Sequence, residues 1–448
     1  MFTLEDLVNA TGGRIVSKGD EVFSSASIDT RTIGSGDIFF ALKGTKRDGH
    51  EFVGEALSKS AGAVISKAVD IDFSGKTVVR VQDTSEALKS LGRYIRAKFK
   101  GSVIAVLGSN GKTTTKELIS AFLGKKYNIL KTEGNLNNNI GVPLSLSKYR
   151  ENTEIMVLEL GTNRKGDIKE LCEIVYPQYA VITNIGYEHL EGFGSLEGVR
   201  EGELEVLQYV KTVFANGDDN FLMEGLENWQ GQIITFGLKH EFDYYADEIE
   251  FHEDGTEFVF NSNLASFPLK TNLIGLHNLY NIIAACAMAV HLGISKCMIG
   301  EALKNFEPVK MRGEIFKIDG REIFFDAYNA NPSSVRAALL ELSRRKKDRR
   351  AVAVLGDMLE LGDYTEKAHE EIGLWLRELK IEQFIGVGKF IGNALRYVDG
   401  HVFANAEEAG NFLRENLKGN EVVLIKGSRA VRMEKILEIL MKGQKNDI

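Results

Sequence analysis

Residues 103–116 read VIAVLGSNGKTTTK and carry the marks of a phosphate-binding loop. A short run rich in Val and Ile, typical of a buried parallel strand, ends at Gly108, and a helix follows Gly111. Glycines let the backbone turn its N–H groups toward an anion at the helix N-terminus. Lys112 would reach the terminal phosphates, and the Thr113 hydroxyl would bind Mg²⁺. We therefore predict a nucleotide site at Gly108, Ser109, Asn110, Gly111, Lys112, Thr113 and Thr114.

The match to the common pattern GxxxxGK[ST] is incomplete, because Val106 stands where the first glycine is expected. The loop is the shorter form GxxGKT, which is a weak signal by itself. The alternative interpretation is a glycine-rich strand-to-helix turn with an incidental lysine. The strand before the loop and the helix after it favour a phosphate loop.

Length and composition narrow the class of protein. A chain of 448 residues is too long for one core, and at about 150 residues per domain it suggests three domains. A net charge of −8 without a basic stripe argues against nucleic-acid binding. The three cysteines are scattered, and the longest apolar run, 282–290, is about half of a membrane span. We expect a cytoplasmic protein without membrane insertion, which contains reduced cysteines.

Alternating strand-like and helix-like segments predict an α/β fold in three domains. Residues 1–101 would form a small mixed α/β domain, and 102–308 a central P-loop domain of the ATPase type with a mainly parallel sheet. An antiparallel patch is expected at 242–273, and 309–448 would form a doubly wound, Rossmann-like domain. The clearest predicted elements are strands at 103–107, 155–160, 180–185 and 351–355 and helices at 112–123, 277–291, 333–345 and 364–379.

Glu159 and His189 follow two strands of the predicted central sheet. The carboxyl ends of parallel strands share one edge, so both side chains would face the phosphates held at Thr113. A carboxylate beside a threonine hydroxyl suits Mg²⁺ that is held partly by substrate oxygens. Alternatively, Glu159 is a helix cap and His189 a hydrogen-bonded loop histidine.

Two asparagine-rich segments suit polar ligands. Four of the five residues at 135–139 are asparagine, which suits a peptide or sugar, although an Asn-rich turn has the same composition. Asn278 and Asn281 lie three residues apart on a predicted helix, where paired amides would recognise an adenine edge. The alternative there is an N-cap followed by an ordinary buried helix.

Charged turns occur in the last and first parts of the chain. Asp326, at a strand end, would bind ribose hydroxyls, while Arg312 would meet a phosphate. Residues 426–429 read KGSR and form a second cationic turn, unless they are merely solvated. Near the N-terminus, hydroxyls, Arg31 and Lys43 between glycines would cradle a diphosphate or form a polar hairpin.

Taken in order, these segments resemble the ATP-dependent Mur ligases of peptidoglycan synthesis along essentially the whole chain. Three stretches favour the member that joins D-alanyl-D-alanine to UDP-N-acetylmuramoyl-tripeptide. They are SIDTRTIGSGDIFFALKG at 27–44 with DGH at 48–50, DAYNANPSS at 326–334, and LGDMLELGDYTEKAHEEIG at 355–373. The DNPR-type signature expected of the member that adds the third residue is missing from the sequence.

The resemblance implies that the γ-phosphate of ATP passes to the carboxylate of the tripeptide. The amine of D-alanyl-D-alanine would then attack the acyl phosphate, and a tetrahedral intermediate would collapse to amide and phosphate. It implies ATP as co-substrate, two Mg²⁺ ions, and domains that bind the UDP end, ATP and the dipeptide in that order. The last of these domains would close on ATP. We expect a monomer. The alternatives are a Mur-type ligase adding a single amino acid, an unrelated P-loop phosphotransferase or NTPase switch, and a binding module without catalysis.

The resemblance also implies roles for individual residues. Lys112 and His189 would be catalytic, with Thr113 and Glu159 holding one Mg²⁺ and His189 near the second. The binding residues it implies are Asn278, Asn281, Arg312 and Asp326 for ATP; Ser27, Asp29, Thr30 and Arg31 for the UDP end; Asn135 and Asn138 for the muramoyl peptide; and Asn329, Asn331, Lys426 and Arg429 for substrate. Lys43 joins the substrate-binding residues as part of the predicted diphosphate cradle.

One position departs from the family pattern. Its members usually present a carbamylated lysine about fourteen residues after the metal histidine, where this chain has Glu203. Glutamate keeps the negative charge but has a shorter reach. Our hypothesis is that Glu203 is catalytic and holds the second Mg²⁺ directly or through water. The alternative is a solvated glutamate on a helix face between Glu201 and Glu205.

Overall fold

The computed structural model describes residues 1–263 and 265–442. Within these residues, the three larger sheets take their strands from consecutive parts of the chain, 14–80, 102–271 and 314–426. The predicted α/β fold class is confirmed. The domain boundaries after residues 101 and 308 fall between these sheets and stay a prediction. No helix in the described ranges is both long and apolar enough to span a membrane.

The N-terminal part forms a five-stranded sheet with helices packed against it. Its elements are β1 (Phe2–Thr3), α1 (Leu4–Thr11), β2 (Arg14–Ser17), β3 (Val22–Phe23), β4 (Ala26–Ser27), β5 (Ile38–Phe40), α2 (Val53–Lys59), β6 (Gly62–Ile65), β7 (Thr77–Arg80) and α3 (Thr84–Lys98). The strand order is β2-β7-β6-β5-β4, and only the β2–β7 pair is antiparallel among these neighbours. Strands β5 and β6 are buried along their whole length, as parallel strands between covered faces are.

The central part is built on a nine-stranded sheet. Its elements are β8 (Ser102–Leu107), α4 (Lys112–Leu123), β9 (Ile129–Lys131), α5 (Gly141–Ser147), β10 (Ile155–Glu159), α6 (Asp167–Val175), β11 (Tyr179–Ile182), α7 (Leu190–Phe193), α8 (Leu196–Glu203), β12 (Thr212–Asn216), α9 (Asn220–Leu226), β13 (Gln232–Gly237), β14 (Tyr244–Phe251), β15 (Thr256–Ser262), β16 (Ser266–Thr271), α10 (Leu276–His291) and α11 (Lys296–Lys304). The predicted antiparallel patch corresponds to β14, β15 and β16, which extend the same sheet.

The strand order of this sheet positions the phosphate loop. The order is β16-β15-β14-β13-β12-β11-β8-β10-β9, so β8 lies between β11 and β10 and is parallel to both. The chain leaves β8 toward one side of the sheet and returns on the other, which makes a crevice at the carboxyl ends of these strands. The residues after all three strands therefore meet at one edge.

The C-terminal part is a six-stranded sheet with the order β17-β18-β22-β19-β20-β21. Its elements are β17 (Glu314–Ile318), β18 (Arg321–Phe325), α12 (Pro332–Lys346), β19 (Arg350–Gly356), α13 (Thr365–Glu378), β20 (Gln383–Val387), β21 (Gly400–Phe403), α14 (Ala406–Asn416), β22 (Glu421–Lys426) and α15 (Glu434–Lys442). Every pair is parallel except β17 with β18. Short 3-10 helices connect elements at Gly49–Phe52, Leu204–Gln208, Gly362–Tyr364, Phe390–Arg396 and Arg429–Val431.

The central and C-terminal parts share buried structure. One apolar cluster runs from Leu107 on β8 to Val335 on α12. Arg345 of α12 is buried, ion-pairs with Glu322 on β18, and lies 3.6 Å from the Glu341 carboxylate. Its Nη2 also donates to the Glu253 carbonyl, in the turn between β14 and β15, at 2.9 Å. The C-terminal part is thus held against the central one by apolar contacts and by the hydrogen bond of Arg345.

His369 of α13 is a buried neutral histidine. Its Nε2 accepts a hydrogen bond from the Met358 N–H at 2.9 Å, and its Nδ1 lies 2.7 Å from the Thr365 carbonyl oxygen, to which it donates. An imidazole that accepts at one nitrogen and donates at the other carries no charge. Burial lowers the pKa of His369 below its usual value of 6.5.

This histidine predicts a loss of stability in mild acid. The folded state binds fewer protons than the unfolded state once the pH falls below about 6.5, so the free energy of unfolding decreases from there toward the lowered folded pKa. His369→Gln should flatten this dependence in urea titrations at pH 7.5, 6.5 and 5.5. The exposed His401 is the matched control, and H401Q should keep the wild-type slope. Equal slopes for H369Q and wild type would contradict the assignment.

Candidate active site

The phosphate loop joins β8 to α4 and depends on two glycines. Gly108 and Gly111 have φ of 111° and 83°, in the region that favours glycine. A Cβ on Gly111 would lie 2.2 Å from the Asn281 side-chain oxygen, and one on Gly108 would lie 2.5 Å from Thr183 Oγ1. The glycine pattern of the sequence therefore reflects both backbone conformation and close packing.

Strand β11 ends earlier than the predicted strand 180–185, because the residues after it bind the loop. The Asn184 carbonyl accepts from the Ser109 N–H at 2.8 Å, and the Asn184 side-chain oxygen accepts from the Asn110 N–H at 3.1 Å. Thr183 Oγ1 donates to the Asn110 carbonyl at 2.6 Å. This supporting role was not predicted, because the predicted strand included residues 183–184 and so left them no contact with the loop.

Lys112 starts α4 and lies among carboxylates. Its Nζ donates to the Gly108 carbonyl and lies 3.3 Å from the Glu188 carboxylate. Burial alone would lower the pKa of Lys112, but the negative charges of Glu188, Glu203 and Glu159 outweigh it and raise that pKa. The lysine is therefore fully charged at neutral pH and is available to phosphate oxygens.

A cavity of about 580 Å³ opens above the loop, between the central and C-terminal parts. Most of the predicted site residues line it. They are Ser109, Asn110, Gly111, Lys112, Thr113, Thr114, Asn135, Asn138, Glu159, His189, Asn278, Asn281, Arg312, Asp326, Asn329, Asn331 and Lys426. Residues more than 200 positions apart in the chain thus line one cavity.

The other predicted residues lie outside this cavity. Gly108 is beneath it, Glu203 is behind it, and Arg429 ion-pairs with Glu434 at 3.2 Å. In the N-terminal part, Arg31 pairs with Asp29 at 2.6 Å and its hydrogen bonds lower the pKa of Asp29 to about 2. The N-terminal group of predicted binding residues is Ser27, Asp29, Thr30, Arg31 and Lys43, whose binding role stays a prediction.

Glu159 at the end of β10 is buried and aimed at the cavity. Its Oε1 accepts from the Asn137 amide at 2.9 Å, and its Oε2 lies 4.0 Å from the ammonium of the fully buried Lys116. Oε2 has no hydrogen-bond partner among the described residues. Asn137 was not predicted as a site residue, although it belongs to the asparagine cluster at 135–139 from which Asn135 and Asn138 were predicted.

His189 is held by the C-terminal part. Its Nδ1 lies 2.6 Å from the Glu360 carboxylate, and its Nε2 lies 4.0 Å from Glu188 Oε2. The rings of Tyr187 and Tyr364 stack beside this contact, with centroids 4.7 Å apart. Neither Glu188 nor Glu360 was predicted as a site residue, although the stretch that contains Glu360 contributed to the family resemblance.

Glu203 lies at the end of α8 and is fully buried. Its Oε2 accepts from the Gly108 N–H at 3.0 Å, while its Oε1 has no hydrogen-bond partner in the part of the chain that the structure describes. Burial raises the pKa of the Glu203 carboxyl above its ordinary value. The alternative of a solvated glutamate is therefore wrong, whereas its role toward Mg²⁺ stays a prediction.

The amides predicted to bind adenine also support the loop. The Asn281 side-chain oxygen accepts from Thr115 Oγ1 at 3.2 Å, and its amide donates to the Asn278 side-chain oxygen at 3.3 Å. Asn278 in turn donates to the Ile274 carbonyl at 2.9 Å. These internal hydrogen bonds fix both side chains, and the adenine contact stays a prediction.

The C-terminal part closes the cavity from the opposite side. Asn331 caps α12 and donates from its amide to the Asn110 side-chain oxygen at 2.9 Å. Lys426 Nζ lies 2.6 Å from the Asp326 carboxylate, and the Arg312 guanidinium lies 4.0 Å from the centre of the Tyr328 ring. Both walls of the cavity are therefore polar and preorganised.

The donor set fits Mg²⁺ when phosphate oxygens share the coordination. In residues 1–263 and 265–442, no three His, Cys, Asp or Glu side chains converge into a complete metal cage. One oxygen each of Glu159, Glu188 and Glu203 is buried there without a hydrogen-bond partner. Mg²⁺ is usually bound by one or two carboxylates together with substrate phosphates, which matches this arrangement.

The phosphate loop, the carboxylates at the edge of the central sheet and the polar residues of the C-terminal part that face them define a P-loop nucleotide-binding protein. Its site is completed by a second α/β domain. Family models match in three places: the Mur ligase middle domain at 106–289, the Mur ligase, glutamate ligase domain at 311–429, and the Mur ligase family, catalytic domain at 12–96. The chain belongs to the Mur ligase family.

Relatives that cover nearly the whole chain agree with this assignment. The UDP-N-acetylmuramoyl-tripeptide–D-alanyl-D-alanine ligase of Bacillus subtilis strain 168 is 34% identical, with 98% of each chain covered. The crystal structure I of MurF from Acinetobacter baumannii is similar with a TM-score of 0.88 and 32% identity, covering 98% of this chain and 99% of that one. The MurF ligase of Thermotoga maritima in complex with ADP has a TM-score of 0.82 and 29% identity, covering 95% and 98%.

Proposed function

We infer that the chain is an ATP-dependent ligase that joins D-alanyl-D-alanine to UDP-N-acetylmuramoyl-tripeptide, forming ADP and phosphate. One observation carries this inference: the phosphate loop, Glu159 and His189 face Asp326 and Arg312 across a single cavity between two domains. Relatives named for this activity match over the full length. As part of the same proposal, the enzyme is a cytoplasmic monomer.

The first step activates a carboxylate, which is a poor electrophile at neutral pH. A carboxylate oxygen of the tripeptide attacks the γ-phosphorus of ATP, the bond to the β-phosphate oxygen breaks, and ADP leaves. Lys112 and the loop N–H groups stabilise charge on the transferring phosphoryl group. In the cavity, Lys112 turns from the Glu188 carboxylate toward these oxygens.

The second step forms the amide. The amine of D-alanyl-D-alanine attacks the acyl carbon, the tetrahedral intermediate expels phosphate, and the amine nitrogen loses a proton. Asn135, Asn138, Asn329, Asn331 and Lys426 line the cavity and are proposed to orient the two peptides. Arg429, outside it, and the N-terminal group keep their proposed contacts with substrate and with the UDP end.

Mg²⁺ is proposed at two positions. Thr113 and Glu159 would hold one ion, and His189 would hold the other together with Glu203, either directly or through water. When bound, Mg²⁺ offsets the negative charge of the phosphates and of the acyl phosphate. Asn137 and Lys116 keep the Glu159 carboxylate in place, and Glu360 fixes the orientation of the His189 ring.

Product analysis tests the reaction. With ATP, Mg²⁺, UDP-N-acetylmuramoyl-tripeptide and D-alanyl-D-alanine, we expect a product whose mass equals the two peptides joined with loss of water, and ADP release that requires both. Mass spectrometry and phosphate release measure these quantities. Ligation of a single amino acid to the dipeptide precursor would instead indicate another member of the family. Phosphate release without an amine acceptor would indicate a phosphotransferase or NTPase.

A further inference from the structure

Glu188 occupies a central position in the site, between the phosphate-loop lysine and His189. The residue is 7% exposed and lines the cavity. Its Oε2 lies 3.3 Å from Lys112 Nζ and 4.0 Å from His189 Nε2. Its Oε1 is buried without a hydrogen-bond partner within the described ranges. A carboxylate with one free buried oxygen is costly unless it gains a donor or a cation.

Glu203 is placed differently. One of its oxygens is fixed by the Gly108 N–H, behind the phosphate loop, and the residue does not line the cavity. It is close enough to Glu188 for the two carboxyl groups to interact. Of the two, Glu188 is the carboxylate that a bound phosphate would meet.

The charges around Lys112 change when a nucleotide binds. Without it, the ammonium lies against Glu188 and also offsets the charge of Glu203. When Lys112 turns to the phosphates, the buried Glu188 carboxylate loses this partner beside a highly negative ligand. Uncompensated buried charges of this kind are strongly unfavourable. A divalent cation shared with the phosphoryl oxygens removes the imbalance.

We propose that Glu188 is a metal-binding residue of this site, the carboxylate that reaches the divalent cation beside His189, while Glu203 holds Glu188 and the phosphate loop in place from behind. The proposal rests on the proposed function, because it assumes an ATP-type ligand in the cavity. It changes the earlier hypothesis in one respect: Glu203 acts as a positioning residue and Glu188 makes the contact.

Mn²⁺ binding, followed by electron paramagnetic resonance with a non-hydrolysable ATP analogue bound, tests the proposal without turnover. We expect Glu188→Gln to weaken Mn²⁺ binding at one site by at least about tenfold. This is the lower end of the loss in metal affinity that follows when residues around a metal site are changed. Nucleotide affinity measured in EDTA should stay the same or improve, because Lys112 loses a competitor. Glu188→Asp should recover part of the Mn²⁺ affinity.

Glu197, an exposed acid on the same helix as Glu203, provides the matched control, and E197Q should bind Mn²⁺ as the wild type does. Wild-type Mn²⁺ affinity in E188Q together with its loss in E203Q would overturn the proposal. An equal loss of metal-free nucleotide binding and Mn²⁺ binding in E188Q would also overturn it, since Glu188 would then act only on Lys112. Circular dichroism verifies that each variant folds. Failure of the proposed function would appear separately, in the product assay.

Discussion

Lys112→Ala lowers the rate of ligation by at least about 100- to 1000-fold, the usual cost of removing one preorganised donor from a site of developing charge. The lysine is the cation of the phosphate loop that faces the cavity. Initial rates of ADP release with both peptide substrates measure the effect.

Two further variants make this result specific. Lys112→Arg keeps the charge but replaces a compact ammonium with a planar group, so we expect most of the rate to be lost. Lys126→Ala, at an exposed lysine just after the same helix, should keep wild-type rates. Turnover within a few-fold of wild type in K112A would contradict the phosphate-loop assignment.

Arg345→Met destabilises the protein by about 3 kcal/mol, the lower end of the range for breaking a buried ion pair. The substitution leaves Glu322 and Glu341 buried without their shared cation, although Arg349 and Arg344 still contact them. The free energy of unfolding from urea titrations, followed by far-UV circular dichroism, measures this loss.

The exposed Arg350 serves as the control, and R350M should change stability by less than about 0.5 kcal/mol. Adding Glu322→Gln to R345M should restore part of the stability, since it removes an unpaired buried charge. An unchanged free energy of unfolding in R345M would show that the guanidinium contributes nothing net at this position.

Local sequence patterns located most of the α/β framework. The helix predicted at 112–123 is observed as Lys112–Leu123, because glycine before it and glycine after it mark both ends. Helix α5 was missed, since GVPLSLS is poor in helix-forming residues and is stabilised by burial along its whole length. Short edge strands such as β17 and β21 were missed as well, because their pairing depends on a neighbour far along the chain.

The residues of the site likewise differ in whether local sequence could place them. Glu159 could be placed from sequence because it ends a strand next to the phosphate-loop strand, and neighbouring strand ends meet at one edge. The partner of His189 could not, because Glu360 lies in another sheet and comes near only when two domains pack together. Burial also could not be anticipated for Glu203, because half of the residues in its helix are charged.

The hydrogen bond between Asn110 and Asn331 has a consequence for inhibitor design. It joins the floor of the cavity to the opposing domain. We call this arrangement closed, since we expect the C-terminal domain to close on ATP. A compound that touches both walls fits only the closed arrangement. The apparent dissociation constant of such a compound equals its intrinsic value divided by the fraction of molecules that are closed. Its measured affinity would therefore report the fraction of the free enzyme that is closed. For a compound that does not touch Asn331, Asn331→Ala would weaken binding only by lowering this fraction.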